Sequence, residues 1–189
     1  PDIHSLVLAY TLAGADCIDV AADPAVITAA KEAIEIAKTL TNRSIEKGFG
    51  VRGVPWLMVS LNDGEDPHFR KAQFDSTICP SDCSQPFLKV CPAGAIQFEE
   101  LNSIDPEKNF SGVIDRRCYG CGRCLPICPF QLIEARSYVS APQAIAPLIQ
   151  EMEIDAIEIH TQVGHERGFK RLWDAIKPVS DRLKLLAIS

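Results

Sequence analysis

Between Cys118 and Pro129 the chain reads Cys118-Tyr-Gly-Cys121-Gly-Arg-Cys124-Leu-Pro-Ile-Cys128-Pro129. Three cysteines separated by two residues each can curl round one centre, while the fourth, held by its proline turn, reaches elsewhere. A thiolate-only donor set at this spacing suits an iron–sulfur cluster. Zinc fits less well, because no histidine lies between His68 and His160 to complete a local Cys–His site. Disulfides fit less well too. Seven of the eight cysteines fall within residues 79–128 at cluster spacing, which points to a reducing, cytoplasmic compartment.

The same run marks the bacterial ferredoxins that carry two clusters, where the last cysteine of each motif ligates the other cluster. An internal repeat supports this reading: Cys91-Pro-Ala-Gly-Ala-Ile-Gln matches Cys128-Pro-Phe-Gln-Leu-Ile-Glu. Each Cys-Pro precedes a short apolar segment suited to a small sheet over the clusters, and Gly112-Val-Ile-Asp115 leads into the second motif as an apolar strand. Cross-pairing gives Cys118, Cys121 and Cys124 the fourth partner Cys91, a complete [4Fe-4S] site. The other site takes Cys79, Cys83 and Cys128. Its fourth position, four residues before Cys91, is Phe87, which has no ligating atom. The options are a [3Fe-4S] cluster, a labile [4Fe-4S] cluster with water or Asp82 on the odd iron, or no cluster. A three-iron or exchangeable cluster is the favoured expectation. Cys17 is the spare thiol; it reads as a small apolar core residue, with a rescuing ligand as the alternative.

On either side of the cysteines, helical and strand patterns alternate. Residues 3–13 form a helix ended by Gly14, and 16–22 a strand. Asp23-Pro24 starts a second helix that runs to about Thr41. Residues 56–62 form a second strand, stopped by Asp63-Gly64. Ser140 and Gln143 read as a capping box before another helix. A strand at 155–161, a helix at 165–177 and a strand at 183–189 follow. Asp16-Cys-Ile-Asp-Val echoes Asp155-Ala-Ile-Glu-Ile, a weak repeat. Alternation of this kind implies a parallel sheet with right-handed crossovers. The expected fold is therefore α/β: a partial (β/α) barrel-like parallel sheet, with an open α/β sheet as the alternative, residues 1–65 and 138–189, interrupted at 66–137 by a ferredoxin-like (α+β) two-cluster insertion. The chain begins without Met and ends in a strand-like run, and so reads as an internal fragment of a longer protein.

Strand alternation also places polar residues together. If Ile18 and Val20 face the helices, then Cys17, Asp19, Met58, Ser60, Asn62, Ala156, Glu158 and His160 share the other face. That face could hold a ligand, with His160 as an acid–base group, or consist of satisfied polar pairs, the commoner arrangement. Asp63, Glu65, Asp66 and His68 read as a solvated turn rather than a metal site. Gly48-Phe-Gly-Val-Arg-Gly53 has the letters of a dinucleotide loop but follows a helix and precedes a strand, the reverse of what that chemistry needs; it reads as a flexible connection. A net charge of −6 and the lack of any Lys/Arg run argue against nucleic-acid binding. The N-terminal apolar stretch is broken by Asp16 and Asp19 and is neither a signal peptide nor a membrane span.

Four stretches carry a more particular resemblance: Leu12 to Pro24, Trp56 to Arg70, the motif 118–129, and Ile157 to Gly164. On these the chain resembles the cyanobacterial light-dependent-period (LdpA) family. The resemblance implies a non-enzymatic iron–sulfur redox sensor that feeds cellular redox state, set by photosynthetic electron flow, into the circadian clock. It implies association with clock-input and Kai oscillator proteins; quinones or ferredoxin are the redox partners that a cluster protein of this kind could meet. The alternative function is an iron–sulfur oxidoreductase or electron-transfer protein using a cofactor or substrate site in the α/β domain.

Overall fold

A computed structural model describes residues 2–66, 68–98, 111–137 and 142–189. The chain divides into two compact units, Pro1–Asp66 with Val139–Ser189, and Pro67–Tyr138.

In the first unit, helix α1 (Ile3–Ala13) is followed by strand β1 (Cys17–Ala21), helix α2 (Pro24–Glu46) and strand β2 (Trp56–Asn62). The order resumes with helix α4 (Pro142–Glu151), strand β7 (Ala156–His160), helix α5 (Glu166–Ile176), a 3-10 segment Lys177–Arg182 and strand β8 (Leu185–Ile188). The four strands form one parallel sheet in the order β1-β2-β7-β8. Sequential order fits right-handed crossovers, one helical layer at a time. Among the described residues the sheet is open, with β1 and β8 at its edges, and does not close into a barrel.

The strand periods place the core. Ile18, Val20, Leu57, Val59, Leu61, Ile157 and Ile159 are buried, while their neighbours on the opposite face, the buried Ala156 excepted, are exposed or half-buried. Helix α2 adds Val26, Ile27, Ala30, Ala33, Ile34 and Ala37. Each fully buried Ile or Val contributes about 1.5–3 kcal/mol relative to exposure. The start of α2 follows from its sequence. Asp23 accepts from the N–H groups of Ala25 (3.0 Å) and Val26 (3.3 Å), and Pro24 fills the first turn, where no donor is needed. The helix runs past the expected Thr41 to Glu46, because Ser44 is buried and extends the inward face by a turn.

Helix α1 ends at Gly14 with φ +91°, and its N–H returns to the carbonyl of Thr11. A Cβ here would stand 1.9 Å from the carbonyl oxygen of Gly50. The 48–53 segment is thus packed against the end of α1 at Gly50 rather than being only a connection.

The second unit contains strand β3 (Arg70–Phe74), a 3-10 turn Ser76–Ile78, the short helix α3 (Pro86–Val90), strands β4 (Ile96–Gln97) and β5 (Gly112–Val113), and strand β6 (Ile133–Ser137). Two antiparallel pairs form, β3 with β6 and β4 with β5. The segments after both Cys-Pro pairs therefore become strands, in two small sheets rather than one. Ala72, Phe74, Phe87, Ala95, Ile96 and Ile133 make this unit's core together with Cys118, Cys124 and Cys128. The expected capping box at Ser140 lies outside the described residues.

Candidate metal centre

The cysteine loop is shaped by its glycines. Gly120 has φ +77°, and a Cβ there would lie 2.5 Å from the carbonyl oxygen of Arg70 on β3. Only glycine lets the backbone between Cys118 and Cys121 turn that tightly against the strand. The result is a small apolar cavity with Cys91, Cys118, Cys121 and Cys124 in its wall, the four residues expected to form a complete site. Ala72, Ala93, Ala95 and Ile96 supply much of the remaining lining.

The donor chemistry in this cavity is thiol only. Burial pushes the Cys124 thiol up to about 11, and the neighbouring sulfur of Cys118 adds to the rise, with smaller additions from Cys121 and Cys91. A buried thiol with other sulfurs close by suits a cation that takes them as thiolates. A backbone donor also points at sulfur: the N–H of Ala95 lies 3.2 Å from Cys91 Sγ. Such bonds stabilise thiolate charge around a cluster.

The second set is smaller. Burial raises the Cys79 thiol, followed by its hydrogen bond with Cys83 and by the charges of Cys83 and Cys128. Cys83 and Cys128 thus both lie near Cys79. The N–H groups of Gln85 and Leu132 lie 3.4 and 3.3 Å from the sulfurs of Cys83 and Cys128. Phe87, at the fourth position, is fully buried. Its ring stands 5.6 Å from Phe74 and 6.2 Å from Phe98, in a three-ring cluster. Asp82, the alternative oxygen donor, is exposed.

Cys17 belongs to the other unit. It is half-buried, not a closed core residue, and lines an open cavity with Asp16, Arg52, Trp56 and Leu185.

The polar face of the parallel sheet is present. Asp19, Glu158 and His160 place ligand-type atoms within 4.8 Å of one another. Ser60 donates to Asp19 at 2.5 Å, and Ser189 Oγ lies 2.9 Å from His160 Nδ1. Burial raises the Asp19 carboxyl, with Glu158 adding to the rise and Ser60 and His160 opposing it.

Two features were not expected. Asp63 is buried rather than in a solvated turn. It accepts from Thr161 Oγ1 at 2.5 Å and from His165 Nδ1 at 2.8 Å, and its carbonyl accepts from Arg171. Burial pushes its carboxyl up, but these hydrogen bonds and the charges of His165 and Arg171 outweigh that and leave it lowered. Its partners lie some 98 to 108 residues away, so no local signal reveals them. The second is Lys71, 1% exposed on β3, whose ammonium contacts Asp115.

Thiol-only donors about an apolar cavity, with backbone N–H groups aimed at sulfur, are the surroundings that an iron–sulfur cluster-binding protein needs. Residues 79–139 match the LdpA Fe-S cluster-binding domain, and residues 148–189 match the Light dependent period A C-terminal domain. The chain is 48% identical, along its whole length, to Light dependent period A of Synechococcus elongatus. It belongs to the light dependent period A family. It spans 48% of that relative's length. No solved structure matches it. No helix among the described residues is long and apolar enough to cross a membrane.

Proposed function

We propose that this chain is the cluster-bearing part of a cytoplasmic, non-enzymatic redox sensor that relays cellular redox and light state to a circadian clock. Cys91, Cys118, Cys121 and Cys124 hold a [4Fe-4S] cluster. Cys79, Cys83 and Cys128 hold a [3Fe-4S] or labile [4Fe-4S] cluster. The observation that carries the reading is Phe87. A buried aromatic ring stands where the repeat calls for a thiolate, so one site is short of a protein ligand. When bound, a cluster at such a site supplies one-electron chemistry and an iron open to loss or exchange. The chain's own residues hold the second site together through three thiolates and two backbone N–H groups.

Family membership supports clock-input and Kai oscillator proteins as partners, with quinones or ferredoxin as sources of the redox signal. In this reading the four-stranded sheet is part of a (β/α) barrel, and residues 66–137 are a ferredoxin-like insertion after β2. The test is an anaerobic oxidant titration of the cluster-loaded protein, followed by EPR and visible absorption. The expected result is a reversible change at one cluster while the other persists. Two clusters that respond together, or not at all, would overturn the sensor reading.

A second reading, an oxidoreductase fed by the clusters, draws on the polar face with Asp19, Ser60, Glu158 and His160. It requires an organic cofactor in the α/β unit. Stoichiometric flavin released on denaturation, identified by mass spectrometry, would favour it over the sensor.

A further inference from the structure

A charged brace joins β3, β6 and the segment that leads into Cys118. Lys71 and Arg136 are directly opposite each other on β3 and β6. Like charges in that register repel, and Asp115 stands between them. Its Oδ1 accepts from Arg136, and its Oδ2 lies 3.3 Å from Lys71 Nζ. Lys71 also donates to the Asp115 carbonyl at 2.7 Å. Lys71 is 1% exposed, whereas Arg136 and Asp115 are 43% and 49% exposed. Burying a lysine is costly unless its charge is matched. Asp115 thus bridges two cations, one buried and one half-exposed.

That brace is connected to the cavity by short paths. Asp115 is three residues before Cys118. Next to it, the Ile114 carbonyl accepts from the N–H of Cys118 at 3.1 Å. The N–H of Ile114 donates to the Ala95 carbonyl at 2.7 Å, and the N–H of Ala95 reaches Cys91 Sγ at 3.2 Å. A single run of peptide hydrogen bonds therefore joins the Cys91 and Cys118 arms, and Lys71 pins its centre. On the other side Lys71 adjoins Ala72, which lines the cavity.

We propose that Lys71 is a positioning residue for the cluster bound by Cys91, Cys118, Cys121 and Cys124, acting through Asp115 on both arm geometry and cluster charge. Reduction adds one electron to the cluster. A buried cation one residue along β3 from the cavity-lining Ala72, and bonded to the segment that leads into Cys118, favours that added negative charge, so Lys71 holds the reduction potential up. The inference rests on the assignment of these four cysteines as ligands.

The test uses the full chain, loaded anaerobically, with iron and sulfide counted in every variant. Lys71→Met should keep its cluster, bind electrons about tenfold more weakly, a fall of about 59 mV for one electron, and lose iron faster to a chelator. Lys71→Arg should restore the potential. Asp115→Asn removes the carboxylate and leaves both cations, so its potential should move upward while iron loss also quickens. A role in folding alone predicts no such opposition of sign. Unchanged potentials in Lys71→Met and Asp115→Asn would overturn the proposal. If Lys71→Met does not retain a cluster, Asp115→Asn decides: an unchanged or lowered potential overturns it. Wild-type protein without iron and sulfide would instead overturn the ligand assignment.

Discussion

Cys124 and Phe87 stand in matching places, each four residues before a Cys-Pro pair. Both are buried in one apolar core, yet their surroundings differ. Around Cys124 lie three other sulfurs and a small cavity. Around Phe87 lie Phe74 and Phe98. One half of the repeat has spent its buried position on a donor, and the other on packing. The half with the aromatic ring gains packing and loses a ligand. A small unit built this way can keep its shape while one of its sites changes iron content.

The comparison is broken most severely at the complete site. Cys118→Ala should abolish that cluster and with it much of the second unit's order, since metal-binding energy in such a unit is folding energy. Iron and sulfide analysis should show loss of at least half the bound iron. Cys17→Ser should lose none, because Cys17 lies in the first unit.

Phe87 sharpens it from the other side. Phe87→Ala should cost about 3–5 kcal/mol in the second unit, read by chemical unfolding of the loaded protein. Phe87→Cys gives up aromatic packing but supplies the absent thiolate. It should raise the iron count and make the second site resist oxidant, measured by absorption bleaching.

Changes in the first unit should leave iron alone and move only its own stability. Asp63 has a lowered carboxyl in the folded chain. Its contribution is therefore complete above the ordinary carboxyl value of about 3.9 and fades as pH falls below that towards the folded value. Asp63→Asn should cost about 1.5–3 kcal/mol at pH 7, with the deficit shrinking in acid. Both tryptophans, Trp56 and Trp173, lie in this unit, so their fluorescence reports its unfolding apart from the clusters. The smallest effect is Asp23→Ala, which removes the cap of α2 and should cost about 1 kcal/mol by the same signal.

Much of this molecule was legible where a pattern is local. Strand β2 has the bounds that its alternation and the Asp63-Gly64 stop imply, and α1 ends at the glycine that only its φ permits. Cys91, Cys118, Cys121 and Cys124 line one cavity, and Cys83 and Cys128 lie near Cys79; the spacing of a cysteine motif is local enough to be read directly. Legibility failed where partners are distant. Arg70-Lys-Ala-Gln-Phe74 looks polar and gave no sign of a strand, because the burial of Lys71 depends on a contact with Asp115 across 44 residues. Asp63 looked solvated for the same reason. Alternation alone left a partial barrel and an open sheet both possible, because it sets the faces of strands and says nothing of whether a sheet's edges meet.

The most direct measurement is EPR of anaerobically purified protein, before and after dithionite, with iron and sulfide counted on the same sample. The account predicts a three-iron signal in the oxidised sample that vanishes on reduction, beside a reducible [4Fe-4S] cluster. Two ordinary reducible [4Fe-4S] clusters at full iron count would contradict it, since Phe87 would then be no obstacle to a complete second site.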